Sequence, residues 1–288
     1  LLIVLFSGIS FTAAKDIIGI AAQQDINLPF SNYITVNDGT DSKAIIRTNS
    51  TSPGAVNLGS VTINGDIVVG PGGVPSSVIN SQNAFITGNV YAADQLMSFA
   101  PVIVPQELVD MASKGNLRVN NPRTVQFVST SGKYDSLYLA NSKTLIIDEP
   151  VSLYITGDID LAPNSSIIIQ GPDLDIDNDA SLKIYLAGDY TGLPSTINNL
   201  TKDPSRFTIY GLDSCTSLEI KNGCNLYGTF YAPNADFQLD NSGDVYGSVA
   251  VNSFAMHNSG TFYFTDSIPE PATLLFIGLG LMFVSAKR

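Results

Sequence analysis

Tryptophan is absent from these 288 residues, histidine occurs once, cysteine twice, and only 14% of the chain is charged. Each scarcity closes off some chemistry. A Ser-His-Asp or Cys-His catalytic arrangement would have to use His257. That residue lies in Met256-His257-Asn258-Ser259, between a strand pattern and a Gly turn, with no nucleophile motif beside it and no Gly-x-Ser-x-Gly anywhere. It reads as a corner residue. Cys215 and Cys224 are separated by eight residues, which is neither a metal-site nor a redox spacing. They stand as a candidate disulfide in an exported protein, or as two buried thiols. Basic residues are few, 14 against 26 acidic ones, for a net charge of -12 and a pI near 4.3. Such a body repels phosphate backbones, which excludes nucleic acid as a partner. Val69-Gly70-Pro71-Gly72-Gly73 lacks the Lys-Ser/Thr and the helix of a phosphate loop and reads as a turn.

What remains is 44% hydrophobic, with 24 glycines and a polar fraction dominated by Asn, Ser and Thr. That composition suits a turn-rich β protein with a buried core. Repeats support it. An apolar-Tyr-Gly triplet occurs at Ile209-Tyr210-Gly211, Leu226-Tyr227-Gly228 and Val245-Tyr246-Gly247. Asn241-Ser242-Gly243 returns as Asn258-Ser259-Gly260. Upstream, Ile63-Asn64-Gly65-Asp66, Ile86-Thr87-Gly88-Asn89, Ile155-Thr156-Gly157-Asp158 and Leu186-Ala187-Gly188-Asp189 each read as a strand ending in a Gly turn. Period-2 alternation runs through Val151/Leu153/Ile155, Leu137/Leu139, Leu145/Ile147, Ile167/Ile169 and Leu182/Ile184. Short strands recurring every ~17–20 residues predict a parallel β-helix of about ten coils, a rod roughly 50 Å long. A β-sandwich is the competing architecture. Pro105 to Lys114, with Glu107 early and Gly115 after, predicts a short helix packed through Leu108 and Met111 as an excursion from one coil. Stretches 70–78 and 191–205 read as loops.

Asp173, Asp175, Asp177 and Asp179 share one strand face by their i, i+2 spacing, opposite Leu174 and Ile176. They are the candidate Ca²⁺ ligands. The order is like the start of an EF-hand loop, but the sixth-place Gly and the closing Glu are missing, and a solvated strand face is the plainer account. No other cofactor is expected.

The ends carry targeting information. Leu1 to Phe6 is apolar and is followed by small residues up to Ala14, the pattern of a truncated secretory signal over residues 1–14. Cleavage after Ala14 is expected, with a site near Ala21 or Ala22 as the alternative, and a buried first strand as the structural one. At the other end Ile268-Pro269-Glu270-Pro271-Ala272 precedes an apolar run from Thr273 to Ala286 and a basic pair, Lys287-Arg288. The prolines stop an upstream strand from running on. The basic pair holds the cytoplasmic side. About 15 residues rise only ~22 Å against a ~30 Å hydrocarbon core, which suits a transient anchor.

This tail resembles the PEP-CTERM sorting signal over residues 267–288, with Pro269, Glu270 and Pro271 as the motif and Lys287 and Arg288 as the membrane stop. The resemblance implies recognition by an exosortase, a membrane cysteine protease-like enzyme of Gram-negative bacteria that make exopolysaccharide, with cleavage near the motif. Gly228-Thr229-Phe230-Tyr231-Ala232-Pro233-Asn234-Ala235 resembles the coils of bacterial exported β-helical domains. Together these imply an all-β, right-handed parallel β-helix over residues 25–266, with the short helical excursion and a C-terminal transmembrane helix. The expected role is a non-enzymatic exported surface or matrix protein, anchored transiently or permanently by its tail. Its partners would be the exosortase, the membrane, and exopolysaccharide or sister copies. A secreted polysaccharide lyase or hydrolase, and a self-assembling β-helical polymer, are the alternatives.

Overall fold

The computed structural model describes residues 17–36, 43–171, 180–241, 243–257 and 259–265. Nearly every strand pairs in parallel with the strand one coil away, so the chain winds as a β-helix with three faces. The first face stacks Gly132–Tyr134, Pro150–Ile155, Ser181–Leu186, Phe207–Gly211, 229–232, 249–251, Ile17–Ala22, Ala44–Thr48, Gly65–Val69 and Val90–Ala92. The second stacks Asn116–Val119 through Ser217–Asn222 and 236–241, then 253–256, Ile26–Leu28, Val56–Leu58 and Ile79–Ser81. Ten strands at ~4.8 Å make a rod of roughly 45 Å.

The alternation seen in the sequence turns into ladders inside the rod. Leu153, Ile184, Ile209, Phe230, Val249, Ile20, Ile46 and Ile67 lie in register on the first face, all but fully buried. Leu117, Leu137, Ile159, Tyr190, Leu218, Phe237, Phe254, Ile26 and Val56 do the same on the second. Each such side chain contributes about 1.5–3 kcal/mol by leaving water.

Coil order is not chain order. Thr261–Phe264 completes a coil, and the next position on the rod is filled by Ile17–Ala22, from the opposite end of the sequence. Ile17–Ala22 therefore lies between 249–251 and Ala44–Thr48. It lies upstream of residue 25, where the β-helix was expected to begin, and Ile20, Ala21 and Ala22 are wholly buried. Cleavage near Ala21 or Ala22 would remove this strand; cleavage after Ala14 would leave it whole. Gly19 makes the splice fit. A Cβ there would overlap the ring of Phe264, and the register shifts between Ile18 and Ile20.

The reordering leaves the two rod ends to be joined. Residues 93–115 do so, lying along the first face rather than forming an excursion from one coil. Arg47 Nη2 donates to Gln95 O at 2.6 Å, Asn49 pairs with the Met97 backbone at 2.8 and 2.7 Å, and the Tyr231 hydroxyl donates to Ala100 O at 2.8 Å. Lys133 Nζ donates to Val109 O at 3.0 Å near the far end. Met97, Phe99 and Val102 pack over Ala21, Ala250 and Tyr231, where two alanines leave room for a second layer. Within the connector helix forms only at Gln106–Val109, a single turn too short to hold by itself, with Leu108 buried. In stretch 70–78, Pro75–Val78 is a helical turn; in 191–205, Thr196–Asn199 is a strand. No helix among the described residues is long and apolar enough to cross a membrane. The segment expected to do so lies outside them.

The Tyr190 hydroxyl is buried in the core with no hydrogen-bond partner among the described residues, and burial pushes its ionisation well above the usual tyrosine range. An unsatisfied buried hydroxyl costs stability, so Tyr190→Phe is expected to raise the unfolding free energy by about 1 kcal/mol in urea titrations. A loss of that size would contradict the placement. Gly19→Ala is expected to cost about 1–3 kcal/mol by overpacking, with part recovered when Phe264→Leu is added. Strict additivity of the two changes in a double-mutant cycle would show that the residues do not meet.

Candidate functional site

The third face is the one that is interrupted. Val125–Val128, Thr144–Ile147, Ser166–Ile169 and Thr196–Asn199 form a four-stranded ladder. On the next coil, 226–228 begins a separate run through 245–247, Thr261–Phe264, Tyr33–Val36, Thr62–Ile63 and Phe85–Ile86.

The cause is local. Val128, Ile147 and Ile169 form an inward apolar column, and the fourth member is Asn199, only 1% exposed. A buried amide must be satisfied. Asn199 Nδ2 donates to Tyr227 O at 3.2 Å and to Asp203 O at 2.8 Å, while Oδ1 accepts from Thr201 N at 3.2 Å and Thr201 Oγ1 at 2.6 Å. A second buried amide, Asn222, accepts from Ile197 N at 2.6 Å and donates to Cys224 O at 2.8 Å. Side chains thus take over hydrogen bonds that a continuous ladder would make through backbone.

The break opens a hollow of about 530 Å³, lined in part by Asn198, Leu200, Lys202, Cys224, Asn225 and Tyr227. That lies within the ~300–1,000 Å³ of small-molecule sites. Asn199 organises one wall by anchoring the 200–203 loop, in which Lys202 holds φ at 58°. A non-glycine residue in that region costs about 1–3 kcal/mol and persists only where neighbours enforce it. Asn225 Oδ1 accepts from Asp244 N at 3.0 Å, fixing the other wall. Across Gly223 lies a second hollow of about 420 Å³, lined in part by Asn164, Thr196, Lys221 and Asp240.

Tyr227 also begins a stack. Its ring lies 4.5 Å from Tyr246 with 9° between planes, and Tyr246 lies 4.7 Å from Tyr263 with 14° between planes. Tyr227 and Tyr246, each followed by Gly, face outward, and a Cβ on Gly228 would press on the buried ring of Phe207. Burial first, then Tyr227, Asp244 and Tyr263, push the Tyr246 ionisation up.

The residues singled out from the sequence do not all meet here. His257 Nδ1 faces Asp240 Oδ1 at 3.4 Å, and Asp240 is in register with Lys221, so the three line up across neighbouring strands at the edge of the second face. Lys221 also pairs with Glu219 at 2.5 Å. The candidate disulfide is corrected: Cys215 and Cys224 are both free. They sit at successive corners with strand Ser217–Asn222 between them, a span of roughly 20 Å. No disulfide bridges such a gap. Asp173, Asp175, Asp177 and Asp179 lie outside the described residues, as do Pro269, Glu270, Pro271, Lys287 and Arg288. Among the described residues no group of three His, Cys, Asp or Glu is placed to hold a metal. Asn199, Asn222 and Lys202 were not singled out from the sequence. The available signal was the alternation in Ser195-Thr196-Ile197-Asn198-Asn199, which puts an Asn on the core side.

Burial raises the Cys215 thiol to about 12 and shifts Cys224 upward as well. The native protein at pH 8 is therefore expected to react slowly with a thiol reagent at Cys224 alone, faster as pH rises, and at both cysteines once unfolded. A Cys215–Cys224 disulfide in non-reducing peptide maps would contradict the separation.

The family model described as Domain of unknown function (DUF7305) matches residues 98–270. The PEP-CTERM protein-sorting motif matches residues 267–288, which marks the chain as an exosortase substrate, exported and sorted through its C-terminus. No curated protein and no solved structure matches the chain.

Proposed function

We propose that this chain, which belongs to the DUF7305 family, is a surface or matrix protein that an exosortase sorts and that lodges in exopolysaccharide without catalysis of its own. The sorting motif carries the reading. The family match takes in the connector and the coils that follow it, from residue 98 to the start of the tail. Thr265, the last described residue, follows the seventh of ten coils counted along the rod. The sole histidine faces Asp240 at the edge of the second face rather than a nucleophile, which supports a binding or structural role. Lys221 and Asp240 lining one hollow is the observation that favours the glycan-cleaving alternative.

The direct test is fractionation of producing cells. The full-length protein is expected at the cell surface or in the polymer layer, and a chain ending at residue 266 is expected to lose that attachment. Full-length protein retained in the cytoplasm would overturn the reading. Release of reducing or unsaturated ends from polysaccharide by the purified protein would overturn its non-enzymatic part.

A further inference from the structure

We infer that the break in the third face is a saccharide subsite that holds one pyranose unit of a neutral polysaccharide against Tyr227. The inference rests on the proposed exopolysaccharide association and specifies where on the rod it occurs.

The stacked tyrosines limit what each ring can do. Their planes lie nearly parallel, so an interior ring such as Tyr246 has both faces covered and shows only its edge. Only a terminal ring has a face to offer. Tyr227 is terminal: Tyr246 covers one side, and the coil on the other side supplies Asn198 and Asn199 in place of another aromatic. Tyr227 lines the 530 Å³ hollow that this substitution leaves. A sugar ring has a C–H face that packs on an aromatic plane and a rim of hydroxyls that need donors and acceptors. Asn198, Asn225 and Lys202 line the same space and offer both.

The hollow is held open by structure. Asn199, almost wholly buried, bonds to the Tyr227 carbonyl and to the 200–203 wall together, so floor and wall share one anchor. Preorganisation of this kind lowers the cost of ordering a site on binding. The neighbouring hollow shares Gly223 in its lining and lies beside the first.

Charge selects among sugars. Around the two hollows Lys202 and Lys221 are balanced by Glu219 and Asp240, within a chain of net charge -12. A polyuronate would meet long-range repulsion with no surplus of positive charge to offset it. A neutral hexose or N-acetylhexosamine chain meets no such barrier.

The test uses the full-length chain in mild detergent and isothermal titration with cellohexaose, laminarihexaose, chitohexaose and an alginate hexauronate. At least one neutral hexasaccharide is expected to bind, more tightly than the uronate. Tyr227→Ala is expected to weaken it about tenfold. Tyr227→Phe keeps the face and is expected to stay within threefold of the parent. Tyr263→Ala, at the far end of the same stack, is expected to leave affinity unchanged. In the unsubstituted protein the bound sugar is expected to slow alkylation of Cys224, which shares the hollow, and this readout stands even if Tyr227→Ala does not fold. Binding of none of the four, preference for the uronate, equal losses at Tyr227 and Tyr263, or an unchanged Cys224 alkylation rate would each overturn the assignment. A protein that binds sugar but never leaves the cytoplasm keeps this subsite and loses the surface role. A surface protein that binds none loses the subsite alone.

Discussion

Register between coils governs this molecule. Each inward side chain must land on the corresponding one of the coils above and below, because neither a lone coil nor a pair can keep its apolar side out of water. The ladder from Leu153 through Ile20 to Ile67 shows how strictly this holds, since it runs through a splice between chain segments more than 200 residues apart without a polar interruption. The other structural features follow from keeping that register. Gly19 yields to Phe264, paired alanines make room for the connector, and Asn199 must find partners because it occupies a core position.

Much of this was legible in the sequence, and the reason is the period of two. Val151, Leu153 and Ile155 alternate with polar neighbours in a way only a half-buried strand explains, and Gly-Asp and Gly-Asn turns mark where strands stop. Of the apolar-Tyr-Gly triplets, Leu226-Tyr227-Gly228 and Val245-Tyr246-Gly247 lie in register one coil apart, while Ile209-Tyr210-Gly211 lies on the first face in register with Phe230 and Tyr231, so its 17-residue interval is not a coil. The tail was legible for a different reason. Two prolines, a short apolar run and a basic pair are each unusual, and their order is specific.

The splice could not be read, because which coil lies beside Ile17–Ala22 is a matter of long-range register that no local pattern encodes. Residues 105–114 read as a helix because Pro105, Glu107 and Lys114 are good helix signals, yet only Gln106–Val109 forms one, within a connector that packs through Met97, Phe99 and Val102. The candidate site escaped for a related reason. Residues 191–205 are rich in turn formers, and one inward Asn inside such a stretch resembles a loop residue until the column it completes is known. The expected disulfide failed on geometry that spacing alone conceals: eight intervening residues can be a tight loop or, as here, a strand that carries the thiols apart.

The splice is the most exposed part of the account, since the core ladders, the connector and the place of Thr265 partway along the rod all depend on it. Hydrogen exchange of the full-length protein, resolved over residues 17–24, tests it most directly. The amides of this stretch pair with neighbouring coils, as in Gln23 N to Val251 O at 2.9 Å, and are expected to exchange as slowly as the strand at 249–251. Exchange at the rate of a free chain terminus, with 249–251 still protected, would mean that the two ends of the sequence do not meet inside the rod.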